Sequence, residues 1–250
     1  MKKIIAALLL SAASLPSFAQ ERFLEQMEQA RKFDISESWK SARIYAPNTS
    51  STISLEKFAE LNPRNVVVHL HGCAGIGQDE VSWARYLSSN DFFVVLPDSL
   101  AIPERSRNCD VRSNTRNANN VPVGPLRVNE ARYALEQIRK ISSIQNVFLM
   151  GHSEGGATIL LAPMTNFKGV VSIGSFCVGP RVNISNEVPL LLINHQSDPW
   201  FRDVRYLCDE KTAHRKENTQ TLVLSGAGHE ASRNSEAQKT VLEFLTRLAR

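Results

Sequence analysis

The stretch LMGHSEGG, residues 149–156, places Ser153 between glycines directly behind an apolar run. Residues 147–150 predict a buried strand, and residues 155–161 predict the start of a helix. A serine at such a junction lies on a very tight turn, and its hydroxyl projects above the sheet. Glycines two residues to either side are needed because the strand and helix backbones crowd together there and a Cβ would collide. The stretch therefore predicts an α/β fold with Ser153 at a strand-to-helix turn.

Short apolar runs alternate with amphipathic helical patterns along most of the chain. The apolar runs are residues 66–70, 92–96, 147–150, 170–173, 190–193 and 222–224. The helical patterns are residues 80–87, 128–141, 157–162 and 235–248. Continuous apolar strands that alternate with helices are typical of a mostly parallel central sheet with helices on both faces. Such a sheet places its functional site beyond the carboxyl ends of its strands.

The first 19 residues have the composition of a secretory signal peptide. Lys2 and Lys3 precede an apolar run over residues 4–15, and small residues lead to a cleavage site after Ala19. The run is shorter than the roughly 20 apolar residues that cross a membrane. No cysteine near the cut could carry a lipid anchor. We therefore predict a periplasmic or secreted protein without a membrane anchor.

The remaining chain divides into an N-terminal extension, residues 20–62, and a regular domain, residues 63–250. The extension holds a predicted helix over residues 22–32 and an extended stretch around residues 39–45. The formal net charge is +4 at pH 7, which gives no indication of a nucleic acid or an anionic membrane as a partner. The role of the extension and the oligomeric state are not predicted by any pattern in the chain.

Two further chemistry-bearing side chains follow the last two predicted strands. A serine hydroxyl needs an adjacent base to attack a carbonyl carbon, and His229 in its glycine-rich loop is the best candidate base. Asp198 would hold the imidazole in the productive tautomer and stabilise the imidazolium that forms. The rival acids are Asp203 and Asp209, which we place on a following helix, and Asp98, which we interpret as holding a turn. A chance serine in a glycine-rich turn is the alternative, and it leaves these partners unexplained.

Segments in a fixed order resemble the dienelactone-hydrolase branch of the α/β-hydrolases. They are VVVHLHGCAG at residues 66–75, FVVLPDS at 93–99, GHSEGG at 151–156, HQSDPW at 195–200 and GAGHE at 226–230. The resemblance covers residues 63–250 and implies the α/β-hydrolase fold, acyl-transfer chemistry and the chain order Ser, Asp, His. Dienelactone hydrolases proper carry a cysteine nucleophile where this chain has Ser153, so the dienelactone substrate does not carry over.

The resemblance also implies an oxyanion hole made of backbone N–H groups. One donor is the residue after the nucleophile, Glu154, and the other comes from the loop after an earlier strand. The loop over residues 71–75 has the composition for this, and Cys73 is the predicted second donor. We expect His71 to support this loop and His195 to line the turn that carries the acid.

We expect no metal and no cofactor. The histidines His69, His71, His152 and His195 raise the possibility of a metal site, and His69 and His71 would share one strand face. However, no carboxylate or third histidine follows at ligand spacing.

The chain has four cysteines, which in an exported protein are typical of disulfides. Three pairings are possible in principle. Because Cys73 and Cys109 follow strands that are neighbours in the fold implied by the resemblance, and Cys177 and Cys208 follow the next neighbouring pair, we predict disulfides Cys73–Cys109 and Cys177–Cys208. A thiolate nucleophile at Cys73 is the weaker alternative, since nothing nearby would lower its pKa.

The polar segment over residues 99–127 is the predicted determinant of substrate choice. It is rich in arginine, and a basic rim that includes Arg105 could attract an anionic acyl substrate. A solvated polar loop fastened by Cys109 is the plainer interpretation. Phe176 and Trp200 follow strand ends and could form an apolar wall for the acyl group, although aromatics there equally serve packing.

These residues together predict an exported serine hydrolase that cleaves small carboxylic esters through an acyl-serine intermediate. Its partner would be a small-molecule ester. Two alternatives stay open. One is a peptidase or amidase acting on short substrates, and the other is a non-catalytic binding protein on a hydrolase scaffold.

Overall fold

A computed structural model describes residues 18–105, 107, 109, 122–175, 183–200 and 217–250. The strands in these ranges are β1 (Arg43–Tyr45), β2 (Asn65–Leu70), β3 (Phe93–Leu96), β4 (Asn146–His152), β5 (Val170–Ile173), β6 (Leu190–Ser197) and β7 (Thr219–Ala227). The α-helices are α1 (Phe18–Ala30), α2 (Ser36–Lys40), α3 (Leu55–Glu60), α4 (Gln78–Ser88), α5 (Val123–Ile138), α6 (Glu154–Ile159) and α7 (Ser235–Ala249).

The described strands form one sheet in the order β1-β3-β2-β4-β5-β6-β7. Strand β1 pairs antiparallel with β3, and the other neighbouring strands are parallel. The mostly parallel sheet predicted from the apolar runs is therefore confirmed. Strands β2 and β3 are neighbours, and so are β5 and β6, as the disulfide argument assumed.

Apolar side chains cover both faces of this sheet. Along β2, Val66 and Val68 pack into a cluster with residues of α1, α3, α5 and α6, whereas Val67 packs into a second cluster with residues of α4 and α7. Successive side chains of a strand point to opposite faces, so a strand covered on both sides must be apolar throughout. This explains why the strands appear in the sequence as unbroken apolar runs.

The N-terminal extension contributes a strand and several helices to this architecture. The predicted helix over residues 22–32 is α1, which packs against α5. The predicted extended stretch over residues 39–45 is wrong in its first part, because Trp39 lies in α2 and only Arg43–Tyr45 is a strand. Tertiary contacts explain the helix, since Ser38 hydrogen-bonds Glu130 of α5 and Trp39 packs against the core cluster on that face.

Strands β6 and β7 are longer than their apolar runs. The ladder between them continues past Ile193 to Ser197, although these last residues of β6 are polar or exposed. Backbone pairing needs no apolar side chain, so the sequence pattern did not reveal this extension. As a result Asp198 follows the observed end of β6 directly.

Candidate active site

Ser153 lies at the junction of β4 and α6 with a positive φ of 55° and ψ of −115°. The turn is held because the Ser153 N–H donates to the Ile173 carbonyl at 2.8 Å. A Cβ on Gly151 would lie 2.5 Å from the Gly155 carbonyl, and a Cβ on Gly155 would lie 2.3 Å from the Leu70 oxygen. Neither position can hold a side chain, which is the crowding expected at this turn.

His229 and Asp198 are in direct hydrogen-bond contact. Nδ1 of His229 lies 2.7 Å from Oδ2 of Asp198, and the Asp198 side chain is almost completely buried. The second carboxylate oxygen, Oδ1, accepts the N–H of Trp200 at 2.9 Å. Because the carboxylate accepts at Nδ1, the proton of the neutral imidazole is held there and Nε2 carries the basic lone pair. The Trp200 ring lies 5.4 Å from the His229 ring between centroids.

Ser153 and His229 lie at the same edge of the sheet, beyond the carboxyl ends of their strands. The ring of His152, next to Ser153 in the chain, has its centroid 4.9 Å from that of His229. Gly174 follows the strand residue that holds the Ser153 N–H, and a Cβ on it would lie 3.3 Å from the His229 ring. The three residues expected to form a triad are therefore neighbours in the fold.

The loop after β2 lies against Ser153. A Cβ on Gly72 would lie 3.4 Å from the Cβ of Ser153, so the loop backbone passes directly beside the serine. The backbone N–H groups of Cys73 and Glu154, the predicted oxyanion donors, have no hydrogen-bond acceptor among the described residues. Cys73 is disulfide-bonded to Cys109 with a Cα–Cα distance of 5.4 Å, as predicted. The pairing leaves Cys73 no thiol, so the alternative of a Cys73 nucleophile is wrong.

The other predicted disulfide, Cys177–Cys208, lies outside the described residues, as do Phe176, Asp203 and Asp209. Asp98 accepts the Leu100 N–H at 3.1 Å and caps a short 3-10 helix, consistent with the structural role expected of it.

The structure describes three arginines of the polar segment, of which Arg105 and Arg127 are buried and Arg107 is exposed. The Arg105 side chain is 1% exposed, and its Nη2 lies 2.6 Å from Oε1 of Glu154. Arg127 lies in α5 instead of a loop and is fully buried. Its Nη2 donates to the His71 carbonyl at 2.9 Å, and its Nε lies 2.9 Å from Oε2 of Glu130. The arginine content of the segment did not reveal these buried partners.

His71 supports the loop after β2, as expected. Its Nδ1 lies 2.6 Å from the Gly72 carbonyl, and its Nε2 accepts the Ser99 N–H at 3.1 Å. This pattern fits a neutral ring with the proton on Nδ1. Burial, aided by the Arg127 charge, lowers the pKa of His71 well below its ordinary value.

The expectation for His195 is only partly met. Its Nε2 lies 2.9 Å from the Glu230 carbonyl, and a Cβ on Gly228 would lie 2.7 Å from its ring. It therefore contacts the loop that carries His229, and that loop is bonded to the start of the Asp198 turn, since the Gly228 N–H donates to the Ser197 carbonyl at 3.3 Å.

Sequence reasoning missed a buried acidic pair at the start of α4. Glu80 accepts the N–H groups of Gly72 at 3.1 Å and Gly77 at 2.9 Å, and its Oε1 lies 3.2 Å from Nδ1 of His152. Asp79 accepts the Ser232 N–H at 2.9 Å. Acidic residues are common in the first turn of a helix because they interact favourably with the positive end of the helix dipole. Asp79 and Glu80 therefore did not stand out in the sequence.

Within the described ranges, no group of three His, Cys, Asp or Glu side chains is placed to hold a metal ion. No described helix is long and apolar enough to cross a membrane.

Comparisons with known proteins identify the architecture. The sequence model of the family described as alpha/beta hydrolase fold matches residues 65–220. TT1662 from Thermus thermophilus is 17% identical with a TM-score of 0.61, covering 85% of this chain and 95% of its own. A phospholipase/carboxylesterase from Dyadobacter fermentans DSM 18053 is 14% identical with a TM-score of 0.58, and the match covers 83% of this chain and 96% of that protein.

Est1E from Butyrivibrio proteoclasticus is 11% identical with a TM-score of 0.55, covering 83% of this chain and 93% of its own. No curated protein matches the chain. At such identities the likeness to solved structures shows the fold alone, and it agrees with the family match. The predicted α/β-hydrolase fold is confirmed.

Proposed function

Because the chain belongs to the α/β hydrolase family, we propose that it is a serine hydrolase that cleaves small carboxylic esters through an acyl-serine intermediate. The observation that carries this proposal is the 2.7 Å contact between His229 Nδ1 and Asp198 Oδ2 at the sheet edge where Ser153 occupies its strained turn. An esterase and a phospholipase/carboxylesterase are among the proteins of similar fold, which favours an ester over other acyl compounds.

The first half of the reaction acylates the enzyme. Oγ of Ser153 attacks the carbonyl carbon of the ester while its proton passes to Nε2 of His229. Asp198 stabilises the imidazolium without taking its proton. The carbonyl oxygen becomes an oxyanion, and the N–H groups of Cys73 and Glu154 donate to it. Each such donor is worth on the order of 10²–10³ in rate.

The tetrahedral intermediate then collapses. Its C–O bond to the leaving alcohol breaks, and His229 returns its proton to that alcohol. In the second half, His229 takes a proton from water, whose oxygen attacks the acyl carbon. Collapse of this second intermediate breaks the bond to Ser153 Oγ, returns the proton to the serine and releases the carboxylic acid. No cofactor enters either half.

The substrate is a small molecule in this proposal, and Trp200 is its apolar contact. The ring lies beside His229, where an acyl group on Ser153 would sit. Arg105 is a weaker candidate for direct contact with substrate, because Glu154 neutralises it and its side chain is buried.

Export is part of the same proposal. The disulfide Cys73–Cys109 is typical of an oxidising compartment, in keeping with a signal peptide over residues 1–19 that is cut after Ala19. We therefore place the mature enzyme in the periplasm or outside the cell.

A fluorophosphonate probe tests the catalytic assignment. We expect the probe to label the wild-type protein and the control variant Ser143→Ala, whose hydroxyl bonds the Pro63 carbonyl. We expect no label on Ser153→Ala, because the probe needs the activated hydroxyl. Mass spectrometry of the labelled peptide gives the site. Folded wild-type protein that takes no label would favour a non-catalytic binding protein.

The same preparations, assayed with p-nitrophenyl esters and matched p-nitroanilides, separate the two enzymatic alternatives. We expect turnover of short-chain esters to exceed that of the anilides. Faster turnover of the anilides would make the protein an amidase or peptidase and would overturn the ester assignment.

A further inference from the structure

The start of α4 contacts three of the loops that form the candidate site. Oε1 of Glu80 accepts the N–H of Gly72, in the loop beside Ser153, at 3.1 Å. The same oxygen lies 3.2 Å from Nδ1 of His152, the residue before Ser153. Next to Glu80, Asp79 accepts the N–H of Ser232 in the loop that follows His229 at 2.9 Å. Two adjacent carboxylates on one helix thus join loops that come from β2, β4 and β7.

His152 extends this contact to His229 itself. Its Nε2 lies 3.2 Å from the backbone carbonyl of His229, while its Nδ1 faces the Glu80 carboxylate. A carbonyl and a carboxylate can only accept hydrogen bonds, so both ring nitrogens of His152 donate. A ring with two donors is an imidazolium. The geometry therefore describes a buried ion pair whose cation, the His152 imidazolium, donates a hydrogen bond to the backbone carbonyl of His229.

We propose that Glu80 and His152 are positioning residues for the candidate site, with the His152 imidazolium holding the backbone of His229 and the Glu80 carboxylate holding the oxyanion loop at Gly72. This inference rests on the proposed function. Neither side chain touches the substrate in the proposed reaction. They act through His229 and through the loop that carries the Cys73 N–H.

The charges around the pair favour its ionised form. Burial alone lowers the pKa of His152, but its hydrogen bond with Glu80 and the nearby Asp79 charge raise it above the ordinary value. Burial alone raises the pKa of Glu80, but His152 and the Gly72 N–H lower it below the usual range. The other titratable groups around the pair are His69 and His71, which burial keeps neutral, the Arg127 guanidinium and His229.

Replacing His152 by each of the two amides separates its two hydrogen bonds. The amide nitrogen of Gln reaches about as far as Nε2 of histidine, and that of Asn about as far as Nδ1. His152→Gln therefore keeps a donor for the His229 carbonyl, whereas His152→Asn keeps only the contact with Glu80. We expect kcat to fall in His152→Asn by up to about 10²-fold, the effect of a misplacement of about 1 Å. We expect a much smaller loss in His152→Gln and similar KM values in both.

His69 supplies the matched control. It lies on β2 near the same carboxylates and is fully buried, and neither of its ring nitrogens has a hydrogen-bond partner within the described part of the chain. We expect His69→Asn and His69→Gln to have equal kcat values. Thermal unfolding of each variant measures its stability. Equal losses of kcat in the two His152 variants that follow their losses of stability would reduce the ion pair to a structural role and overturn the proposal.

Glu80→Gln adds a pH readout. Without the carboxylate the pKa of His152 falls, so the ring loses a donor as the pH rises through that lower pKa. We expect kcat/KM of Glu80→Gln to acquire a step in which activity is lost toward higher pH, and the wild type to lack this step over the same range. Identical profile shapes in the two proteins would contradict the proposal.

The His229 Nδ1 proton gives a measurement that does not need turnover. Its downfield NMR signal is assigned by its loss in Asp198→Asn. We expect the signal to persist in His152→Gln and to shift or broaden in His152→Asn. If the wild type hydrolyses no ester, the proposed function fails, and this signal alone decides the positioning role. An unchanged signal in both variants would overturn that role.

Discussion

At the scale of single residues, Ser153 shows how chemistry is placed by backbone strain. Its φ of 55° lies in a region that non-glycine residues rarely adopt. Such a conformation costs on the order of 1–3 kcal/mol and persists only where the surroundings impose it. Here the backbone is packed so closely at Gly151 and Gly155 that the turn between them is held in this conformation. The strain aims the hydroxyl away from the sheet.

Relief of this strain is measurable. Ser153→Gly and Ser153→Ala both lose the hydroxyl, but only glycine adopts the positive φ without cost. We expect Ser153→Gly to be more stable than Ser153→Ala by about 1 kcal/mol, because the strain released exceeds the entropy that glycine adds to the unfolded chain. Urea unfolding of the two variants measures the difference. A glycine variant that unfolds at lower urea would show that the turn is unstrained.

His69 is a second residue whose state is set by its surroundings. It is fully buried, and burial lowers its pKa from 6.5 to about 4 despite the nearby Glu80 and Asp79 carboxylates. Between pH 6.5 and about 4, the unfolded chain therefore binds a proton at this histidine and the folded protein does not. Stability is lost as the pH falls from 6.5 toward about 4. His71 shifts in the same direction, and His152 in the opposite one.

We expect His69→Leu to flatten this acid dependence. The leucine removes the group that must stay neutral, so the fall in Tm between neutral and mildly acidic pH becomes smaller than in the wild type. The fall in Tm that remains in this variant comes from the protonation of His71 and of carboxylates such as Glu80, whose pKa values are also lowered in the fold. Differential scanning calorimetry at several pH values measures the slope. Parallel curves for the two proteins would show that His69 titrates normally in the fold.

At the scale of elements, the loops after β2 and β3 are joined covalently. Cys73 follows β2, Cys109 follows β3, and the disulfide closes a loop with a sequence separation of 36. Such a bond removes conformational freedom from the unfolded chain and adds typically 2–4 kcal/mol. It also restrains the loop that presents the Cys73 N–H beside Ser153.

The disulfide should therefore affect both stability and rate. We expect Cys73→Ala/Cys109→Ala to lose about 2–4 kcal/mol of unfolding free energy, as such bonds typically contribute, and to lose kcat as the loop loosens. Cys177→Ala/Cys208→Ala is the matched control for rate, since those cysteines are predicted to pair with each other and not with the oxyanion loop. Urea unfolding and ester turnover measure the two effects. Unchanged stability in the first double variant would contradict the role of this disulfide.

Helix α5 also stabilises the loop after β2. Arg127 of α5 donates to the His71 carbonyl at 2.9 Å and to the Ser99 hydroxyl at 2.6 Å. Glu130 of the same helix compensates its charge at 2.9 Å. A buried arginine without such partners would be strongly destabilising, so the loss of Glu130 alone would destabilise the fold. A helix on one face of the sheet thus supports a loop at its edge.

At the scale of the whole molecule, the sheet order assembles the site. Ser153, Asp198 and His229 follow β4, β6 and β7, which are distant in the chain but lie close in one parallel sheet. Parallel strands bring their carboxyl ends to the same edge, so residues that follow different strands become neighbours. The N-terminal extension joins the same body, since Met27, Ile44 and Phe58 are buried in its core.

Local patterns in the sequence were sufficient for the scaffold and for the main candidates of the site. Unbroken apolar runs predict buried strands because both faces of each strand are covered. The glycines around Ser153 predict the tight turn because no side chain fits there. Asp198 and His229 were predicted as the acid and the base because each follows a strand. All of these signals lie within a few residues of the group that they predict.

Tertiary structure alone decided the contacts that have no such local signal. Three buried contacts are of this kind. Arg127 is buried against Glu130 and the loop after β2, Arg105 contacts Glu154, and Glu80 pairs with His152. Each side chain is polar and would be solvated on an isolated helix or loop. Only the order of the strands and the packing of helices on them determine which polar groups lose water together, and therefore which must pair.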